Sequence, residues 1–504
     1  MKYFLGIDNG GTTAKAGIYT ADGTEVAVAA RSAQVIAPRP GRAERDMAEM
    51  WQMNAAIIRA AIENACIRPD ELAGIACCGH GKGLYLLDET GAPVRNAILS
   101  ADNRAVEYEK RWKADGTEQR AYALSLQHVM ASQPVALLAW LRDNEPQTIE
   151  RTRWILSCKD YIRYCLTGSA MAERSDMSGT GMMNLRTRDY DPQLLQIFGI
   201  GFAEDKLAPL CDTLQCCGTV TKAAAEQTGL AEGTPVFGGM FDIDACALAV
   251  GAVTPKELCM VSGTWSINEF VSDEPILNGN VQMNSLFCLD GKYLVEESSA
   301  TSAGNSEWFL KQILRADNWD CPSIYERANV LADEIAYDTP TPIYLPFVMA
   351  SNANPDAMGT FVGLAESMDE RHLIRSVYEG VAFSHRWHLE KLIPSRTEPI
   401  TEIRLSGGVA RSQVWTQMFA DILGIPIRTV AVQETGALGC AISAAVATGC
   451  YPSVQDAVRQ MVRFSDTVQP DPTKKAHYDT RYRLYCDTIR ALDGLWTSYR
   501  TVMA

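Results

Sequence analysis

The stretch Val236–Ser266 constrains this chain most, because it combines a carboxylate, a small-residue helix and a glycine turn in one short run. Asp242 follows the paired glycines Gly238 and Gly239, which have no Cβ and therefore allow a backbone or a ligand to approach closely. An apolar strand then leads into Ser262-Gly263-Thr264, a tight hairpin whose amides can face a phosphate. We therefore predict that two lobes meet here, with Asp242 as a candidate base and Gly263 and Thr264 as a candidate phosphate loop.

A second strand–glycine turn–strand unit opens the chain at residues 3–19. Its turn combines an acid, glycines and hydroxyls, so amides and hydroxyls can hold phosphate and a lysine can neutralise it. Asp8 could also hold Mg²⁺ through water, since hard cations prefer oxygen ligands. A plain glycine hairpin is the alternative interpretation. The candidate phosphate-binding residues of this turn are Asp8, Gly10, Thr12, Thr13 and Lys15.

The two units indicate a weak internal duplication. Both are followed by α/β segments, and 504 residues are too many for one ordinary core, so two domains with a ligand cleft between them are expected. We place these α/β domains at residues 1–250 and 251–504. A metal site on the helix Arg371–Leu392 is not expected, because its His385 and His388 are only two ligands and indicate packing or surface.

Two further loops carry polar side chains in positions that suit a small ligand. His80, Gly81 and Lys82 lie in a loop of alternating glycines, for which a flexible surface turn is the alternative. Asp102 and Arg104 end an apolar segment and could bind sugar hydroxyls from both sides, or form an ordinary surface ion pair.

A third loop resembles a nucleotide site. The strand Ile403–Leu405 leads into glycines and then into the helix Gln413–Leu423, and a helix N-terminus after a glycine loop is a ready site for an anion. The candidate residues here are Gly407, Gly408 and Ser412.

Charge and composition exclude several classes of partner. A net charge of −15 argues against nucleic acid, and no apolar run reaches the roughly 18 residues that span a membrane. The chain begins with a predicted strand, so no signal peptide is expected, and its 15 cysteines contain no C-x-x-C pair. Reduced thiols of this kind are typical of the cytoplasm, which is the expected location. Assembly into a homodimer is possible from the sequence, and we leave the oligomeric state open.

The chain resembles the FGGY family of carbohydrate kinases from residue 3 to about residue 490. The most specific match is Gly359–Leu364 followed by His372–Glu379, which fits the family's C-terminal signature at every constrained position. Ser132–Asn144 is similar to the N-terminal signature, although Leu137 stands where the family usually has Lys. The opening loop DNGGTTAK resembles the family's first phosphate loop, with Gly11 where Thr is commoner.

This resemblance implies two actin-like (ribonuclease-H-like) domains with an interdomain cleft, and a kinase that uses ATP and Mg²⁺. It places Asp242 as the catalytic base, Asp8, Thr12 and Lys15 on the first phosphate loop, and Gly263 and Thr264 on the second. It places Gly407, Gly408 and Ser412 on the adenosine loop, and Gly304 and Glu307 near the nucleotide pocket.

The expected substrate is a small open-chain sugar. Lys82 stands where D-xylulose kinases carry a His, and the segments around Lys82 and Asp102 look closest to the L-xylulose kinase branch. Gly81, Lys82 and Asp102 would then contact the sugar, with D-xylulose, ribulose, erythritol and glycerol as alternatives. Proteins of other classes, an ATP-driven switch of the actin and chaperone type or a non-catalytic sugar sensor, would share the fold.

Overall fold

The computed structural model describes residues 2–396 and 398–503. Two mixed β-sheets form its centre, one in each half of the chain. In spatial order the first sheet contains Cys216–Thr219, Pro235–Phe237, Leu72–Gly79, Tyr3–Asn9, Thr13–Thr20 and Glu25–Ser32, with Met240–Phe241 also paired to Leu72–Gly79. The second contains Met283–Leu286, Tyr293–Ser299, Ser266–Ser272, Glu257–Ser262, Glu402–Gly407 and Ile427–Arg428.

The two sheets repeat one strand pattern. Tyr3–Asn9 is antiparallel to Thr13–Thr20 and parallel to Leu72–Gly79. Glu257–Ser262 is likewise antiparallel to Ser266–Ser272 and parallel to Glu402–Gly407. Each central strand therefore has a glycine hairpin on one side and a parallel strand on the other, which is a ribonuclease-H-like order. The predicted α/β class and the internal duplication are confirmed.

Helices cover both sheets and short strand pairs lie outside them. The short pairs are Glu44–Arg45 with Ala97–Ile98, Tyr85–Leu87 with Trp154–Leu156, Ala172–Glu173 with Leu210–Cys211, Met183–Asn184 with Asp189–Tyr190, and Ile343–Leu345 with Thr360–Val362. The α-helices are Met47–Ala65, Val106–Ala114, Thr117–Ser125, Pro134–Asn144, Pro146–Arg151, Cys158–Thr167, Arg174–Ser178, Pro192–Ile197, Lys222–Thr228, Asp242–Ala249, Ala303–Trp308, Ile324–Asp333, Glu370–Leu392, Gln413–Leu423, Thr435–Ala447, Val454–Met461, Lys475–Leu492 and Trp496–Met503.

Local sequence explains where the first long helix begins and which face it buries. The Asp46 carboxylate accepts a hydrogen bond of 2.9 Å from the amide of Glu49, which satisfies one of the free N–H groups of the first turn. Met47, Met50, Ile57 and other residues at helical spacing are buried against the first sheet.

The helix Thr435–Ala447 joins the two halves. It belongs to the second half of the sequence but packs on the first sheet, so closely that a Cβ at Gly6 would lie 1.9 Å from the carbonyl oxygen of Ala437. A Cβ at Gly439 would lie 2.1 Å from the carbonyl oxygen of Ala245 on the helix Asp242–Ala249. Glycines at these contacts therefore allow the helix Thr435–Ala447 to pack closely on both the first sheet and the helix Asp242–Ala249. The division at residue 250 stays a prediction.

In the described residues, no helix has the length and apolar character needed to cross a membrane.

Candidate active site

Asp242 is the first residue of the helix Asp242–Ala249 and directly follows a short strand. That strand, Met240–Phe241, pairs in parallel with Cys78 and Gly79. Gly239 has φ +73°, and a Cβ there would lie 1.9 Å from the carbonyl oxygen of Cys77. The glycines before Asp242 thus allow strand to approach strand, which sets the carboxylate at the end of the first sheet.

A buried cluster of charged and polar side chains holds this segment through hydrogen bonds to its backbone. Arg163 donates a hydrogen bond to the carbonyl oxygen of Gly238, and Ser175 Oγ accepts one of 3.1 Å from the amide of Phe241. Ser175 in turn donates to Glu173, with 2.8 Å between their oxygens. Lys159 completes the cluster, with its Nζ 3.0 Å from Asp160 and 3.2 Å from Asp176. Of these residues only Asp160 stands out in the sequence, as a possible substrate-side residue, and the structure instead buries it in ion pairs with Lys159 and Arg163.

We expect Arg163→Met to destabilise the protein strongly. Arg163 Nη2 lies 2.9 Å from Asp160, and removing one partner from a buried ion pair leaves the other charge uncompensated, at a cost of about 3–5 kcal/mol. The matched control is Arg490→Met, because Arg490 forms an exposed pair with Asp487 and exposed pairs contribute only about 0–1 kcal/mol. Urea unfolding of both variants measures the difference, and equal losses would contradict a supporting role for Arg163.

The electrostatic surroundings of Asp242 suit a general base. Desolvation raises its pKa well above the ordinary value, and the negative charges of Asp8, Asp176 and Glu296 raise it further. A carboxylate with a raised pKa holds a transferred proton more firmly than an ordinary aspartate, which favours general-base catalysis.

The first phosphate loop closes the hairpin of Tyr3–Asn9 and Thr13–Thr20. The amide of Gly10 donates to the carbonyl oxygen of Thr13 at 3.1 Å, and Thr12 is exposed. Asp8 and Lys15 are cross-strand neighbours in the hairpin, and desolvation raises the pKa of Asp8 while the Lys15 charge lowers it.

Glu434 is a partner of this loop that sequence reasoning missed. Its carboxylate lies 2.5 Å from Lys15 Nζ, and it comes from the second half of the chain. The same residue lies 3.9 Å from Arg411. Glu434 therefore links the first phosphate loop to the glycine loop at residues 407–412. Its position just before the small-residue helix Thr435–Ala447 is the available sequence signal.

The second phosphate loop meets two other segments of the second half. The amide of Gly304 donates to the carbonyl oxygen of Gly263 at 3.2 Å. Gly407 has φ +89°, and a Cβ there would lie 2.5 Å from the carbonyl oxygen of Ser262. A Cβ at Gly408 would lie 3.7 Å from the same oxygen. The structure therefore brings together the predicted residues Gly263, Thr264, Gly304, Gly407 and Gly408.

Two predicted nucleotide contacts, Ser412 and Glu307, are engaged with protein groups, and a third, Gly263, faces open space. A Cβ at Gly263 would meet no described protein atom within 4 Å. The hydroxyl of Ser412 caps the helix Gln413–Leu423 and contacts Asn329 at 2.8 Å, so protein groups already occupy it. Glu307 is exposed and pairs with Lys311 at 2.7 Å, one helical turn away.

The loop at residues 79–83 lies beside Asp242. A Cβ at Gly81 would lie 2.4 Å from the Phe241 ring, so this glycine allows the loop to pack against the residue before Asp242. His80 is buried, with its Nε2 2.9 Å from the hydroxyl of Tyr85, and burial lowers its pKa to about 4. We predicted that His80 contacts the sugar, but its imidazole is neutral and hydrogen-bonded to Tyr85 instead.

Lys82 differs from its neighbours in having a free charged group. Its backbone has φ +61°, an uncommon conformation outside glycine, and the residue is half-buried. Its ammonium makes no hydrogen bond or ion pair with any residue that the structure describes. A ligand could therefore bind it without breaking an existing contact.

Asp102 and Arg104 form an ion pair, but a buried one. Their side chains have no exposed surface, with 2.8 Å between Arg104 Nε and Asp102 Oδ1. The second Asp102 oxygen accepts from the amide of Ala43 at 2.7 Å, and Arg104 also pairs with Glu44 at 2.6 Å. Neither side chain is placed to bind a sugar directly, because both are fully covered by the rest of the protein. The pair instead fixes the loop at residues 100–103.

Comparison with known proteins identifies the chain. The FGGY family of carbohydrate kinases matches with its N-terminal domain over residues 3–249 and its C-terminal domain over residues 258–448. The chain belongs to this family. An L-xylulose/3-keto-L-gulonate kinase of Escherichia coli is 36% identical over 98% of both chains. A probable L-xylulose kinase of Haemophilus influenzae is 35% identical over 98% of this chain and all of that protein.

Solved structures agree on the fold. The model matches a xylulose kinase from Lactobacillus acidophilus with a TM-score of 0.89 at 23% identity, covering 99% of this chain and 100% of that one. It matches a glycerol kinase from Plasmodium falciparum with a TM-score of 0.83 at 19% identity, covering 97% and 98%. The predicted two-domain actin-like fold and the class of ATP-dependent carbohydrate kinase are confirmed.

In this FGGY kinase a cavity of about 750 Å³ opens between the two halves. Ser100, Asn103 and Ser132 line it from the first half, and Thr264 and Trp265 from the second. Asp242 is not among its lining residues, whereas Thr264 of the second phosphate loop is. No cluster of three or more metal-binding side chains occurs among the described residues. The carboxylate of Asp8 does provide the hard oxygen ligand that Mg²⁺ prefers.

Proposed function

We propose that this kinase transfers a phosphoryl group from ATP to a hydroxyl of a small open-chain keto sugar, with Asp242 as the general base. The observation that carries the proposal is the position of Asp242. The negative charge of Asp8, on the first phosphate loop, raises the pKa of Asp242. The candidate sugar loop at residues 79–83 packs on Phe241, the residue just before Asp242. A base between a phosphate loop and a sugar loop is the arrangement that in-line phosphoryl transfer needs.

The nucleotide is proposed to bind on the three clustered glycine segments at residues 263–264, 304 and 407–408. Their amides and the hydroxyl of Thr264 would hold the phosphates as charge develops in the transition state. Lys15 would exchange Glu434 for a phosphate oxygen, since ATP offers it a stronger anionic partner. Mg²⁺, held by Asp8 through water, would neutralise phosphate charge when bound.

The reaction follows from these roles. The sugar hydroxyl loses its proton to Asp242 while its oxygen bonds to the γ-phosphorus, and the bond from that phosphorus to the ADP oxygen breaks. Closure of the halves over the sugar would exclude water and limit hydrolysis of ATP.

The substrate is proposed to be L-xylulose or a related keto sugar acid such as 3-keto-L-gulonate. Lys82 supports this proposal because it offers a free positive charge in the loop that packs on Phe241, and such a charge can bind sugar hydroxyls or a carboxylate. The E. coli relative is named as a kinase for both sugars. Asp102 and Arg104 would act by fixing the loop Ser100–Asn103 at the cavity wall.

A panel of sugars tests the substrate. We expect ADP release with L-xylulose and 3-keto-L-gulonate to exceed release with D-xylulose, ribulose, erythritol and glycerol. A preference for glycerol or D-xylulose would overturn the assignment. We also propose a cytoplasmic location, a homodimer and the domain division at residue 250. Light scattering tests the homodimer, and limited proteolysis tests the domain division.

We expect Lys82→Met to raise the sugar KM and leave the ATP KM unchanged. Losing a hydrogen bond to a charged group costs about 1.5–3 kcal/mol, which is about 10- to 150-fold in affinity. The loss should be larger for 3-keto-L-gulonate, which carries a carboxylate, than for L-xylulose.

The matched control for this prediction is Lys110→Met, because Lys110 is exposed and pairs only with Glu107 on the surface. It should leave both KM values unchanged. If Lys82→Met changes only the ATP KM, Lys82 belongs to the nucleotide site and not to the sugar site.

A further inference from the structure

A buried polar network lies next to the second phosphate loop, and three of its members, Ser299, Asn352 and His388, also line the interdomain cavity. It is centred on His385 and His388 of the helix Glu370–Leu392, whose exposed fractions are 0% and 1%. The sequence analysis assigned these two residues to packing or surface. The structure instead surrounds both imidazoles with hydrogen-bonding side chains from three other segments, namely Ser262, Ser266, Asn268, Ser299, Thr301, Ser302 and Asn352.

His385 connects to one end of the phosphate loop. Its Nε2 lies 3.0 Å from Ser302 Oγ, which lies 2.6 Å from Ser262 Oγ. Its Nδ1 lies 2.9 Å from Asn268 Oδ1. Because that amide oxygen only accepts, Nδ1 carries the proton, and the neutral Nε2 accepts from Ser302. Ser302 can then accept from Ser262, so one chain of hydrogen bonds runs from Ser262 through His385 to Asn268.

His388 connects to the other end of the same loop. Its Nδ1 accepts from Asn268 Nδ2 at 2.8 Å and lies 3.4 Å from Ser266 Oγ. Its Nε2 lies 3.0 Å from Ser299 Oγ and 3.1 Å from Asn352 Nδ2. Asn268 therefore joins the two imidazoles, and His385 uses one donor and one acceptor nitrogen, which only the neutral ring provides.

The two attachment points, Ser262 and Ser266, flank Gly263–Trp265 on either side. Both ends of the loop are thus held by one helix through its two histidines. The network also includes Ser302, the residue before the helix Ala303–Trp308. In the first turn of that helix, the amide of Gly304 donates to the carbonyl oxygen of Gly263.

We propose that His385 and His388 are positioning residues that hold the loop Gly263–Trp265 in the geometry that receives the phosphates of ATP. The proposal rests on the proposed phosphotransferase function for its purpose, but the network is defined by contacts alone. A loop whose flanking hydroxyls are fixed loses less conformational freedom when it binds phosphate, and this preorganisation raises affinity. Burial lowers the pKa of His385 to about 3, so it stays neutral across the physiological range.

The test compares two isosteric replacements of His385. His385→Gln places an amide near the position of Nε2 and keeps the link to Ser302, whereas His385→Asn places it near Nδ1 and keeps only the link to Asn268. We expect Asn to weaken binding of Mg–ATP about 10-fold and Gln to weaken it less, since one hydrogen bond is worth about 2- to 12-fold in affinity. Titration calorimetry measures ATP and sugar separately, and sugar affinity should change less than twofold.

Two further variants keep the test decisive. Ser302→Ala removes the link between Ser262 and His385 with a small side chain, and should weaken ATP binding to a similar extent even if an imidazole variant fails to fold. His372→Gln changes a histidine at the start of the same helix, outside the network, and should leave both affinities unchanged.

Unchanged ATP affinity in folded His385→Asn and Ser302→Ala would overturn the proposal. So would an equal loss of ATP and sugar affinity, which indicates general destabilisation. Because binding is measured without turnover, this result is independent of the panel of sugars, and either conclusion can fail while the other stands.

Discussion

Asp242→Asn is expected to lower kcat by a factor of about 10² or more, because general-base terms are typically 10²–10⁴-fold. The asparagine side chain is nearly isosteric but cannot accept the sugar hydroxyl proton. Steady-state kinetics with saturating sugar and ATP measure the effect. Binding of ATP should be nearly intact, since the base acts on the acceptor and the clustered glycine loops bind the nucleotide.

The control for this prediction lies two residues further along the same helix. Asp244 is buried, and its Oδ1 accepts a hydrogen bond of 2.7 Å from the amide of Cys288. Asparagine keeps a side-chain oxygen that can accept the same hydrogen bond from Cys288. Asp244→Asn should therefore retain turnover within a few-fold. Unchanged kcat in Asp242→Asn would remove Asp242 from the mechanism.

Gly407→Ala is expected to impair ATP binding far more than sugar binding. The new Cβ would lie 2.5 Å from the carbonyl oxygen of Ser262, and Gly407 has φ +89°, where a side chain adds strain. Something must shift, and the second phosphate loop is the segment in contact. We expect at least about a 10-fold loss of ATP affinity, since about 1.4 kcal/mol is tenfold. Calorimetric titration of each ligand measures it.

Gly424→Ala separates backbone strain from the clash. Gly424 also has a positive φ, +67°, at the end of the helix Gln413–Leu423, but a Cβ there would meet no described atom within 4 Å. It should lower stability slightly and leave both affinities unchanged. Equal weakening of ATP binding by the two variants would show that the contact between Gly407 and Ser262 has no role in the nucleotide site.

The fold was largely predictable because its signals are local. Strand–glycine turn–strand units at residues 8 and 262 predicted both hairpins. The helix Gln413–Leu423 occurs as predicted. The packing of Thr435–Ala447 on the first sheet was not predictable, because it joins segments more than 400 residues apart and its signal is only a run of small residues.

The candidate site was predictable where backbone groups form it, and it was less predictable where side chains form it. Glycines at 304 and 407 lie against the phosphate loop as expected, since their absent side chains directly permit that contact. His80, Asp102 and Ser412 were expected to face ligands but are engaged with Tyr85, Arg104 and Asn329. A polar residue near a site has the same sequence signal whether it binds the ligand or supports the loop, and only its partners distinguish the two.

The central claim is that the phosphoryl group of ATP reaches a sugar hydroxyl under the control of Asp242. Phosphorus-31 NMR of the reaction with ATP, Mg²⁺ and L-xylulose tests it most directly, because it resolves the product as well as the loss of ATP. The account predicts one new phosphomonoester signal for each ADP formed in the wild-type enzyme, and almost none in Asp242→Asn. ADP formation accompanied by inorganic phosphate alone, with or without the sugar, would contradict it.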